Sequence, residues 1–129
     1  MSFGMLVATG PCATIGLLNE ALSTRFLVSD TAYGVIVEDG PLHCYVERAV
    51  RGALTDWPRH VRRHLHSLCR RRRLWALDAN CRQLCLRVGA FIAAKCDGVL
   101  VTDDDELLRE DALRALVVAS ACYGQDLAS

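Results

Sequence analysis

The chain has 129 residues, which suits one globular domain over residues 1–129. With 52% hydrophobic and 23% charged residues it is not a disordered chain, and zero net charge with a pI near 6.9 removes any global pull toward a polyanion. No apolar run approaches the roughly 20 residues that span a bilayer, and the longest, "VGAFIAA", stops at Lys95.

In chain order, "MSFGMLVATG" has no basic segment and no long apolar core, so no secretory leader is expected. Pro11 can open a helix, in which Ile15, Leu18 and Leu22 recur at helical spacing. The period then changes. "RFLVSD" and "YGVIVED" are β-branched-rich runs bounded by turn formers, and predict two short strands joined around Asp30 to Ala32. "PLHCYV" reads either as a third strand, from Leu42, Cys44 and Val46, or as a helix to about Leu54, from Val46, Val50 and Leu54.

From Trp57 onward the pattern is helical. One helix is expected over 57–71, with Asp56 as N-cap and Pro58 in the first turn. A second is expected over 74–96, where Leu77, Cys81, Leu84, Cys85, Val88, Phe91 and Ile92 share a face and Gly98 closes the end. A short run, "VLV", follows. Thr102 before "DDDELL" then predicts an N-capped helix with acids in its first turn. Leu108, Ala112, Ala115, Leu116, Ala119 and Cys122 carry its stripe to about Tyr123, with fraying after 124. The expected fold class is α+β, mainly α: an N-terminal helix and a short β-hairpin, then three to four packed helices.

"RHVRRHLHSLCRRRR", residues 59–73, holds seven arginines, three histidines and no acid. At about 100° per residue, Val61, Leu65 and Leu68 fall on Trp57's side of a helix, and Arg59, Arg62, Arg63, His66, Arg70 and Arg73 fall on the far side. Arg72 would land in the apolar stripe, so the helix should end or bend near residue 70. A purely structural helix usually mixes its charges, so something should neutralise these arginines. Seven acids lie between Asp97 and Asp111, with Asp103, Asp104, Asp105 and Glu106 at the expected helix start. They can meet the arginines within the chain, or in a partner protein or second copy. Nucleic acid is the remaining candidate, although aromatics interleaved for base stacking are absent from the patch. The 14 Arg against one Lys also match what GC-rich coding alone produces.

Seven cysteines in a chain without a secretory leader should stay reduced in an intracellular compartment, cytoplasm or nucleus, mostly as small buried residues. His60 with His64, and Cys81 with Cys85, are each four apart and could supply a Cys2His2 zinc site from two helices. Two part-buried histidines and two core thiols explain the same spacing. No nucleophile elbow, HExxH, P-loop or GxGxxG occurs, and "DDDE" lacks the alternating ligands and central glycine of an EF-hand. No catalytic residue and no cofactor is expected, and no family resemblance emerges.

The expected function is a small non-enzymatic intracellular protein-interaction or regulatory module, of the accessory kind that large DNA viruses encode. It would bind a host or viral protein, or a second copy of itself, through Arg59, Arg62, Arg63, Arg70 and Arg73 and through the acidic helix start. The alternatives are an RNA- or DNA-binding accessory protein using the same arginines, and a structural zinc protein.

Overall fold

Residues 3–9, which the sequence reading left without an element, form a central strand. The structure is a computed structural model that describes residues 2–11, 13–49, 57–68, 73–96, 98–109 and 112–115. Its elements are β1 (Phe3–Thr9), α1 (Ile15–Leu22), β2 (Leu27–Asp30), β3 (Gly34–Asp39), β4 (Leu42–Arg48), α2 (Arg59–Leu68), β5 (Arg73–Ala79), α3 (Arg82–Lys95), β6 (Val99–Val101) and β7 (Leu107–Leu108). A helical turn follows at residues 112–115.

Among the described residues seven strands form one antiparallel sheet, in the order β2-β3-β4-β5-β1-β6-β7. The protein is therefore mainly β, and the expectation of a mainly helical α+β fold is corrected. Three misread segments account for the difference. The chain opens with β1, whose Met5, Leu6, Val7 and Ala8 are all buried, so it shows no alternation. A strand covered on both faces reads as a plain apolar run.

The expected helix 74–96 is a strand followed by a helix. In β5 Trp75, Leu77 and Ala79 are buried, while Leu74 and Ala76 are half-buried and Asp78 is exposed, which is period two. Asn80 ends the strand: its side-chain oxygen accepts from the His43 N–H at 2.8 Å, and its amide donates to the Pro41 carbonyl at 3.0 Å. The third error is the helix from Thr102. The Thr102 hydroxyl does accept a nearby backbone N–H, that of Glu106 at 3.2 Å, but the bond closes the β6–β7 hairpin. Asp105 sits there at φ 63°, left-handed backbone that a helix excludes. Of the stripe expected beyond it, 112–115 is helical and residues 116–129 lie outside the described residues.

Other elements follow local chemistry closely. α1 is N-capped by Thr14, whose hydroxyl accepts from Leu17 N–H, and it buries Leu18 and Leu22. The expected strand pair is β2–β3, and "PLHCYV" resolves as strand β4. The β3–β4 turn places Gly40 at φ 59°, where a side chain would be strained. A Cβ on Gly34 would overlap the backbone of Val46 and Glu47, so glycine sets how closely β3 approaches β4.

The larger core lies on one face of the sheet, under α1 and α3. Met5 and Val7 (β1), Val35 and Val37 (β3), Cys44 and Val46 (β4), Trp75 and Leu77 (β5) and Leu100 (β6) meet Leu18, Leu22, Leu84, Val88 and Ile92 there. Trp75 Nε1–H donates to the buried Thr9 hydroxyl at 3.0 Å, so the largest buried ring has its one polar group satisfied. A smaller core on the other face joins Leu6, Ala8 and Val101 to Val61 of α2, flanked by Trp57, Leu74 and Leu107. Among the described residues no helix is long and apolar enough to cross a membrane.

Candidate interaction surface

Pro58 immediately precedes α2, and its carbonyl accepts from Arg62 N–H at 3.1 Å. Val61 is fully buried against the sheet. Burying Val61 turns Arg59, His60, Arg62 and Arg63 outward, and all four are exposed. These three arginines form one basic helix face, as the wheel places them. Arg73 is not part of it. It stands on β5 with the Trp75 parity, facing the larger core, and its guanidinium donates to the Ala13 carbonyl at 2.9 Å. Arg70 and Cys69 lie outside the described residues.

Among the described residues the acids form no ion pair with this helix. Arg82, at the start of α3, takes Asp103 at 3.0 Å and Asp104 at 3.1 Å. Hydrogen bonds to Asp103 are the largest cause holding the Arg82 guanidinium above its ordinary pKa. Among the described residues these are the only ion pairs, so Arg59, Arg62 and Arg63 have no acidic partner there. Asp105 is half-buried and Glu106 exposed in the same turn. Arg82 is the first residue of α3 and not a mid-helix residue, which brings it to Asp103 and Asp104.

The four residues weighed for zinc are divided by the sheet. His60 and His64 stand on α2, above the smaller core. Cys81 precedes α3 and Cys85 is buried in its first turn, against the larger core. Among the described residues no three His, Cys, Asp or Glu side chains cluster as metal ligands would. Cys44, Cys81, Cys85 and Cys96 are free thiols. The Cys85 thiol beside it, together with burial, pushes the Cys44 pKa far up; burial raises that of Cys96. A raised thiol is a poor nucleophile at neutral pH, which suits packing and not covalent chemistry.

A second surface went unnoticed in the sequence. α2 packs over β1, β6 and the Leu74 end of β5 on its side of the sheet. Over the rest of β2–β5 no described residue covers that side, and strand parity decides what it shows. Because Val35, Val37, Cys44, Val46, Leu77 and Ala79 face the larger core, Ile36, Glu38, His43, Tyr45, Glu47 and Asp78 face the other way. Tyr45 is paired across from Ile36 on one side and Asp78 on the other; Glu38 is paired with His43. The His43 and Tyr45 rings stack edge to face at 5.3 Å. Tyr45 is 39% exposed and Leu27, on the same side of edge strand β2, is 69% exposed. The alternation of "VIVED" and "LHCYVE" carried this signal, since the outward residues are known once the inward ones are.

A third cationic group lies on the helical side. Arg25 and Lys95 approach the Phe91 ring at 5.6 and 5.7 Å, and Arg87 the Phe26 ring at 5.5 Å. These cations pack on aromatic faces and help seal the α1–α3 contact. Comparison with protein-family models, with curated proteins and with solved structures found no match.

Proposed function

We propose that this chain is a non-enzymatic protein-binding module that engages an acidic protein surface through Arg59, Arg62 and Arg63 of α2, in a reducing, intracellular setting. The observation that carries the reading is the arginine helix itself. It is anchored by one fully buried valine, shows three exposed guanidiniums, and has no acidic partner among the described residues. Guanidinium is weakly hydrated and pairs bidentately with carboxylates, so such a face gives orientation and on-rate to an encounter. Asp103 and Asp104 lie in a hairpin turn and are engaged by Arg82, so the reading rests on the arginines.

Photo-cross-linking from a probe at position 60, in cells producing the protein, tests this. Protein adducts should form, survive nuclease digestion, and disappear when Arg59, Arg62 and Arg63 are all changed to Glu. Adducts that nuclease removes would transfer the same arginines to a nucleic-acid role, because phosphate contacts depend on the same charge.

A further inference from the structure

α2 and the open part of the sheet lie on the same side of the molecule and carry opposite charge. The outward residues of β2–β5 on this side are Leu27 and Ser29, Gly34, Ile36 and Glu38, His43, Tyr45 and Glu47, and Leu74, Ala76 and Asp78. Three are acids and none is Lys or Arg. Beside them, α2 rises by about the 10 Å thickness of one helix and shows Arg59, Arg62 and Arg63. One side of a single chain thus has a basic helix beside an acidic stretch of sheet.

From this we infer that the open sheet face is the docking surface for α2 of a second copy, in a two-fold dimer. Each copy's arginine helix lies on the other's Glu38, Glu47 and Asp78. A two-fold interface is self-complementary, so a helix and a sheet face on one side are used twice, and each charge contact is made twice. Tyr45 and Leu27 supply apolar area beside the acids, and aromatic contacts of this kind anchor interfaces. Zero net charge lets two copies approach without long-range repulsion. The chain supplies both complementary surfaces, which is what favours a second copy over an unrelated acidic protein. This deepens the proposed function and rests on its reading of the α2 arginines.

Sedimentation of the full chain at low and high salt tests the dimer. The mass should be twice 14.2 kDa at low salt, with dissociation strengthened by about tenfold or more at 0.5 M salt, as screening requires. The triple variant Arg59→Glu, Arg62→Glu, Arg63→Glu should be monomeric, and so should Glu38→Arg, Glu47→Arg, Asp78→Arg. Mixed, the two should form a heterodimer, because both contacts are then attractive again. A monomeric wild type at low salt, or a dimer that either triple variant leaves intact, overturns the inference. As a check that needs no charge change, p-benzoylphenylalanine in place of Tyr45 should cross-link to a peptide of the other copy within residues 59–68. Linkage to residues 116–129 of its own chain would assign the face to that segment instead. If the wild type is monomeric while adducts from position 60 still form with another protein, the dimer fails and the protein-binding reading stands.

Discussion

On one face of the sheet, α1 and α3 cover β1, β3, β4, β5 and β6, and nearly every inward side chain is an aliphatic or aromatic residue with no exposure. On the other, α2 covers Leu6, Ala8 and Val101 through Val61, and among the described residues nothing covers the acidic part of the sheet over β2–β4. The first arrangement spends its side chains on stability. The second holds a charged helix over a small apolar contact and leaves area free beside it. Where a sheet is covered on only one side, the uncovered side is free to evolve as a surface. Here the described residues of that surface are acids, His43, Tyr45 and an exposed leucine.

The largest effect should come from the covered face. Trp75→Ala removes the largest buried ring and leaves the Thr9 hydroxyl without its indole donor. It should cost about 3–5 kcal/mol in denaturant unfolding, and a loss under about 1 kcal/mol would mean the larger core is not the principal one. Val61→Ala probes the other face. Among the described residues its cluster has four buried members, and the loss should be about 2 kcal/mol or less. If it equals the loss from Trp75→Ala, the two faces do not differ as described. It should also loosen α2 specifically, read as faster amide exchange over residues 59–68 than over α3.

The smallest effect belongs to Arg82. Its side chain is 39% exposed, and so is 70% of the Asp104 side chain it reaches. Arg82→Ala should therefore cost less than about 1 kcal/mol, since solvent screens such pairs, and the cost should shrink further in 0.5 M salt. A larger, salt-independent loss would show that the Asp103–Asp104 turn, and not the pairing itself, depends on Arg82.

How legible was this protein? The strands β2 and β3 were plain, because "RFLVSD" and "YGVIVED" carry β-branched residues between strong turn formers. The arginine helix was plain too, because an apolar residue at each turn, with charge elsewhere, has one geometric solution. The start of β5 was not. "LWALDANCRQLC" supports helical spacing through Leu77, Cys81 and Cys85 as well as it supports period two through Trp75, Leu77 and Ala79. What breaks the tie is the pairing of β5 with β1 and β4, more than 25 residues away on either count of chain. β1 failed for the opposite reason: burial on both faces erased its alternation. Thr102 failed because the same hydroxyl-to-amide bond serves a helix cap and a hairpin turn, and Asp105's left-handed backbone decided between them.

The amino-acid sequence by itself determined the amphipathic helix at 59–68, the β2–β3 hairpin and the uneven distribution of charge. These are local properties, set by periodicity and by the chemistry of neighbours in the chain. Only the tertiary structure decided that Arg82 meets Asp103 and Asp104, that the two His and Cys pairs stand on opposite faces, and that an acidic sheet lies beside a basic helix. Each of those depends on which strands pair, and strand pairing joins residues far apart in sequence, where no local period can report it.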